Sequence, residues 1–136
     1  MNFKFTVMPN DRYKCQAIFN DQAVSACIIN AVDNRWVISS WFTDSEYKNR
    51  GIGKQVVKNL LIYLYANLGE PRSIEYIWNG TNQYVYDWIH NRFDAVCTCP
   101  LAVQKYQNDD DWSSHIYVLN KSSVLEYFDV DFTSIY

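Results

Sequence analysis

The stretch from Trp36 to Leu68, WVISSWFTDSEYKNRGIGKQVVKNLLIYLYANL, leaves this chain few ways to fold, because it reads as a strand, a sharp glycine turn and an amphipathic helix in immediate succession. Val56, Val57, Leu60, Leu61, Leu64 and Leu68 recur at steps of three and four. That spacing buries one face of a helix of about four turns, which has to start near Gly53. Just ahead, Arg50-Gly51-Ile52-Gly53-Lys54 combines two residues lacking a Cβ with cations. Such a turn can aim successive backbone N–H groups into one concavity at the positive end of a helix dipole, where a phosphate or pyrophosphate is favoured.

Two familiar phosphate loops do not fit. The pattern G-x-x-x-x-G-K-[ST] lacks its opening glycine here, and Gln55 stands where a Ser or Thr would hold magnesium. The dinucleotide fingerprint fails as well, since Gly51-Ile52-Gly53 is not followed by a third glycine or alanine at the required step. What remains is Lys48-x-x-Gly51-x-Gly53 after a strand. This resembles the acyl-CoA signature of the GNAT superfamily of N-acyltransferases, [QR]-x-x-G-x-[GA], with Lys48 in place of Gln or Arg. Ser45-Glu46-Tyr47 is similar to that family's Pro-Glu-Tyr segment. An ordinary strand-to-helix turn explains the glycines but not the flanking Lys48, Arg50 and Lys54.

A length of 136 residues suits a single domain over 1–136, with one core. The net charge of −3 argues against a nucleic-acid partner, which needs a basic footprint. Apolar runs of only a few residues argue against a membrane span, and the strand-like alternation from Met1 onward against a signal peptide, so a cytoplasmic location is expected. Cys15, Cys27, Cys97 and Cys99 are expected as lone buried thiols. No metal is expected, because nothing near Cys97-Thr98-Cys99 completes a tetrahedral set.

Taken in order, alternation predicts strands around Phe3–Val7, Tyr13–Phe19, Gln22–Val32 and Arg35–Thr43, the last three a meander turned at Asn20-Asp21 and Asp33-Asn34. Gly69-Glu70-Pro71 stops the helix. A fifth strand follows at Ser73–Trp78, then a second helix over Gln83–Arg92 with Asn82 as its N-cap. Strands at Ala95–Val103 and Ser114–Asn120 and a short capped helix at Ser122–Phe128 complete the reading. This order looks like the GNAT fold over roughly residues 3 to 120: an α+β architecture with a mostly antiparallel seven-stranded sheet and two main helices. One departure is large, because the family places two helices between its first two strands, where this chain has only Pro9–Arg12. The acceptor side should be open, unless the C-terminal tail or a partner chain, as in a homodimer, closes it.

The resemblance implies acetyl-CoA as cofactor and a primary amine as acceptor. The pantetheine arm would bond to the backbone of Trp41 and Thr43 between strands four and five, and Lys48, Asn49, Arg50, Gly51, Gly53 and Lys54 would surround the pyrophosphate, with Asn82 a further contact. Catalytic residues carry over poorly. The family's glutamate, fourteen residues before Gly51, is Val37 here, and the tyrosine that protonates the thiolate falls on Trp88. Glu75 is the substitute candidate for the base, weighed against an outward-facing solvated carboxylate. Tyr86 is the candidate acid, weighed against a half-buried aromatic, with Tyr84 two positions away. Asp109-Asp110-Asp111, beside the acceptor site in this fold, would attract a cation, or is a solvated acidic turn. With the missing helical wall, it favours an amine on a peptide or protein. The alternative is a non-catalytic acyl-CoA binder or interaction module on the same scaffold, suggested by Val37 and Trp88. A third reading, an unrelated α/β binding module, makes the glycine turn an accident.

Overall fold

Pairs of Asn and Asp in the left-handed region turn the first half of the chain back on itself three times. Asn10 and Asp11 (φ 64° and 57°), Asn20 and Asp21 (51° and 62°) and Asp33 and Asn34 (55° and 61°) take a conformation that their short polar side chains tolerate and whose twist suits tight hairpins. They separate β1 (Asn2–Met8), β2 (Arg12–Phe19), β3 (Gln22–Val32) and β4 (Arg35–Thr43). Phe19 pairs with Gln22 and Val32 with Arg35, so the second and third turns are two-residue loops. The computed structural model describes residues 1–78, 83–97 and 115–132.

Helix α1 (Ile52–Leu68) carries the chain from β4 to β5 (Ser73–Trp78); α2 (Gln83–Phe93), β6 (Val96–Cys97), β7 (His115–Leu119) and α3 (Lys121–Tyr127) follow. Among the described residues the sheet has seven strands in the order β1-β2-β3-β4-β5-β7-β6, and of their pairings only β4–β5 is parallel. This is the expected α+β architecture, with the short third helix capped by Asn120, whose Oδ1 accepts the Ser123 N–H at 2.9 Å. Met8 pairs with Arg12, so β1 and β2 form a direct hairpin with no helices between them. Residues 98–103 of the expected sixth strand lie outside the described residues.

The apolar stripe of α1 packs on the sheet: Val56, Val57, Leu60, Leu61 and Leu64 are wholly buried against a core that includes Ala17 and Ile29. Its last predicted member is not. Leu68 is 44% exposed, and Tyr65 is buried in the final turns instead, stacked on Phe132 of the C-terminal tail at 4.1 Å between ring centroids. Cys15 and Cys27 face each other across β2 and β3 as buried free thiols. Burial pushes the Cys15 thiol up to about 11 and the Cys27 thiol higher still. Both therefore stay protonated and behave as small apolar groups.

The parallel pairing of β4 with β5 is short. It runs from Arg35 and Ser73 to Ile38 and Tyr76 and then ends, although β4 continues to Thr43. Ser39 is the extra residue of a bulge against β3, at the point where the pairing stops. Its hydroxyl donates to Asn30 Oδ1 at 3.0 Å. The paired end is clamped by Glu75, which is 1% exposed. Its Oε2 accepts from Arg35 Nε and from Ser73 Oγ, both at 2.7 Å, and its Oε1 accepts from Arg35 Nη2 at 2.5 Å.

The bidentate bond from Arg35 holds the Glu75 carboxyl below the usual carboxylate range, with burial opposing and Ser73 helping. Because this pKa is lowered in the folded state, the clamp contributes stability that is complete above the unfolded-state value of about 4.3 and is lost as pH falls through the folded-state value. Glu75→Gln keeps the shape but removes the charge, and should cost about 2–4 kcal/mol at neutral pH, measured by urea denaturation. The variant should also lose part of the parent's acid-induced destabilisation below about pH 4. A variant as stable as the parent, with an unchanged acid limb, would show that the clamp contributes nothing.

Candidate functional site

Where β4 ends, the chain makes one 3₁₀ turn, Ser45–Tyr47, and then enters α1 through two left-handed residues, Asn49 (φ 63°) and Gly51 (φ 76°). The Asp44 N–H donates to the Val24 carbonyl at 2.8 Å, which ties the turn to β3, and Gln55 N–H to Gly51 carbonyl at 3.0 Å starts the helix. This turn forms one side of a cleft of about 490 Å³. Strand β4 lends Trp41, Phe42 and Thr43; the turn lends Tyr47, Lys48, Asn49 and Gly51; the first helical turn lends Ile52, Gly53 and Lys54; and α3 lends Tyr127.

Trp41, Thr43, Lys48, Asn49, Gly51, Gly53 and Lys54 thus line one cleft. Arg50 does not line the cleft, and its guanidinium lies 5.5 Å from the centre of the Tyr47 ring. Asn82 lies outside the described residues. The two glycines have different reasons to be there. Gly51 needs its left-handed backbone, and among the described residues, its chain neighbours aside, no atom lies within 4 Å of where its Cβ would be, so that side is open. A Cβ on Gly53 would sit 2.7 Å from Thr43 Oγ1 and 3.4 Å from Trp41 Nε1, so Gly53 lets the helix start approach the end of β4. The contact is bonded: Trp41 Nε1 donates to the Gly53 carbonyl at 3.2 Å. Ser25 Oγ donates to the Phe42 carbonyl at 2.9 Å, which leaves the Thr43 hydroxyl to donate to Ser25 Oγ at 2.9 Å.

Phe42, Tyr47, Ile52 and Tyr127 are cleft residues that sequence reasoning did not assign. Tyr47 stood in the Ser-Glu-Tyr segment and was legible there. Tyr127 was not, because it reaches the cleft through an aromatic cluster assembled from three distant elements. Trp88 packs on Trp41 at 5.4 Å and on Tyr127 at 5.4 Å, and Phe93 packs on Trp88 at 5.0 Å. Lys54 Nζ lies 4.4 Å from the centre of the Tyr127 ring.

The proposed acid–base residues fare unevenly. Glu75 is neither an available base nor a solvated carboxylate, since its oxygens are committed to Arg35 and Ser73 and the guanidinium lowers its basicity. It does sit beside Val37 in register, next to the position where the family's glutamate would fall. Tyr86 and Tyr84 lie on α2, and their side chains, like Asp109–Asp111, lie outside the described residues. Trp88 has no hydroxyl to give and fills the aromatic cluster. Tyr76 marks the last β4–β5 pair, and burial holds its phenol above its ordinary value. Its hydroxyl has no hydrogen-bond partner among the described residues, and no sequence signal singled it out. Among those residues there is also no cluster of three metal-ligating side chains, and no helix is long and apolar enough to cross a membrane.

The model of the acetyltransferase (GNAT) family matches residues 2–87. No curated protein matches. Solved structures share the fold at low identity. A Bacillus anthracis protein named for streptothricin acetylation, in complex with acetyl coenzyme A, is 15% identical with a TM-score of 0.57, over 82% of this chain and 63% of its own. The PaiA N-acetyltransferase of Thermoplasma acidophilum, in complex with coenzyme A, is 14% identical with a TM-score of 0.59, over 80% and 60%. A chimera of the Vibrio cholerae spermidine N-acetyltransferase SpeG with hSSAT is 11% identical with a TM-score of 0.56, over 85% and 74%. This chain spans about three-fifths of the length of the first two. With the family model covering strand, glycine turn and helix together, the chain belongs to the acetyltransferase (GNAT) family.

Proposed function

We propose that this protein transfers an acetyl group from acetyl-CoA to a primary amine. The carrying observation is the cleft at the start of α1, where a left-handed glycine turn with an open side adjoins the unpaired end of β4. Backbone N–H groups from Asn49 to Lys54 hold the pyrophosphate there, aided by Lys48, Lys54 and the nearby charge of Arg50. Trp41 and Thr43 offer backbone groups along the stretch of β4 that β5 leaves unpaired, where a pantetheine arm bonds like an added strand. Asn82 is a further contact in this reading. Such a ligand fits the residues present, and the resemblance to structures holding acetyl-CoA or CoA supports it.

In the reaction the amine nitrogen bonds to the acetyl carbon as the carbon–sulfur bond breaks. One proton leaves the amine and one reaches the departing thiolate, so no metal or co-reactant is required. An alkylamine with a pKa of about 10.4 has to lose its proton first, and with Glu75 committed to Arg35 that task falls to water or to desolvation at the site. Tyr86 is our proton donor. The direct β1–β2 hairpin leaves the acceptor side without a helical wall, which supports an amine carried on a peptide or protein. The spermidine enzyme among the structural neighbours supports a free polyamine as the second reading. A cytoplasmic setting, where acetyl-CoA is made and thiols such as Cys15 and Cys27 stay reduced, suits either.

CoA should raise the melting temperature, since a ligand bound only by the native state adds about 2.7 kcal/mol at a hundredfold excess over Kd. No shift at millimolar CoA would remove the reading, and the non-catalytic binder with it. The glycines should fail for different reasons. Gly51→Val strains the backbone and fills the open side, so CoA binding should vanish in a folded protein. Gly53→Ala should destabilise the apo protein by about 1–3 kcal/mol, and Thr43→Ala, which removes the clashing hydroxyl, should recover part of that loss in the double variant.

Turnover, followed as free thiol released in the presence of polyamines and lysine peptides, tests the chemistry. Tyr86→Phe should lower kcat by about 10²–10⁴ with CoA affinity within about twofold, while Tyr84→Phe leaves kcat unchanged. A loss seen in Tyr76→Phe instead would move the donor to β5. Absence of turnover with every acceptor, in a protein that binds CoA, would establish the binder.

A further inference from the structure

Strand β1 ends the sheet, and among the described residues it pairs with β2 alone. Its other edge offers the alternate N–H and C=O groups of seven residues, a length of about 24 Å at 3.4 Å per residue. Proteins blunt such an edge with proline, a bulge, several charges or a very short strand. Here there is no proline between Asn2 and Met8, the register with β2 runs unbroken, and Lys4 is the strand's one charge. The edge is apolar as well. Phe5 and Val7 share the face of the sheet on which α1 packs, and they are 39% and 65% exposed. Phe5 is stacked on Tyr63 of α1 at 4.7 Å between ring centroids, so the ring is held from one side while much of it stays open to solvent.

We propose that β1 is the docking edge for a second copy of this chain, joined antiparallel about a two-fold axis at Phe5, so that the two sheets run on as one. Side chains set against each other in an antiparallel pair share a face. With the helix-covered faces of both copies on the same side, the axis must therefore pass at a residue and not between two. An axis at Lys4 sets the two ammonium groups against each other and pairs only five residues of β1. One at Thr6 also pairs five, and lays Lys4 against the partner's Met8. The axis at Phe5 pairs all seven: Asn2 with Met8, Phe3 with Val7, Lys4 with Thr6, and Phe5 with itself. On the helix side, Phe3, Phe5 and Val7 of both copies then form one apolar row flanked by the Tyr63 rings, and on the other side each Lys4 meets a hydroxyl. An unrelated strand would have to match this spacing of apolar and polar residues, which β1 matches when read against itself in reverse. The cleft at the end of β4 lies beyond β2 and β3 from this seam, so both copies keep it open.

Sedimentation of the full chain over a range of concentrations tests this. A seam of one strand pair is at the small end of specific interfaces, so a monomer–dimer equilibrium with a Kd on the order of 1–100 µM is expected. Val7→Glu changes a site that is already exposed in the monomer but would bury two carboxylates against the partner's Phe3 positions in the dimer. It should weaken association by about a hundredfold or more, with the melting temperature of the dilute protein within about 2 °C of the parent's. Phe5→Cys sets two thiols opposite each other with Cβ atoms about 4.5–5.5 Å apart, close to disulfide distance, so mild oxidation with diamide should give a covalent dimer. Asn2→Cys, whose two thiols lie about 20 Å apart in this register, should stay at the parent's background. A parent that remains monomeric at several hundred micromolar would overturn the proposal. A dimer undisturbed by Val7→Glu, or one trapped through Asn2→Cys and not through Phe5→Cys, would place the interface elsewhere and overturn it as well.

Discussion

The closeness of Gly53 to the end of β4 is the constraint on which the rest of this site depends. A helix normally keeps a side chain's width from the strand that leads into it. Here the missing Cβ lets the Gly53 carbonyl accept from Trp41 Nε1, with Thr43 and Ser25 bonded just behind. The positive end of the helix is thereby fixed against a strand whose next neighbour has already departed. A left-handed glycine turn and the part of β4 that β5 leaves unpaired end up side by side because one residue is glycine.

That departure is itself arranged. The parallel pairing of β4 and β5 is held at one end by a bidentate ion pair between the part-exposed Arg35 and the buried Glu75, and it ends at the other beside a bulge at Ser39. A buried carboxylate is costly unless its lone pairs are used, and Glu75 has three donors. The clamp and the opening are two ends of one pairing.

Much of the fold was legible because it rests on local chemistry. The boundaries of β3, β4 and β5 followed from alternation and from Asx pairs that can take positive φ, and the glycine turn announced the cleft. Longer-range facts were hidden. Glu75 read as solvated or catalytic because the partner that defines it, Arg35, is forty residues away in sequence. The stripe of α1 misplaced its last member because Phe132, from the other end of the chain, packs on Tyr65 rather than near Leu68. Tyr127 carried no signal at all: a tyrosine in a short helix becomes a cleft wall only through Trp88 and Phe93.

The three tight turns of the meander bear on how this protein comes into being. Strands β1 to β4 are joined by loops of two or three residues, so their closure entropy is small and they can assemble as soon as they are made. The clasp between Arg35 and Glu75 closes a far larger loop that contains all of α1. Contacts of that separation carry a larger closure cost than the hairpins do. During synthesis, then, the sheet's first half can stand while the cleft is still missing its far wall, which comes only with Tyr127 on α3.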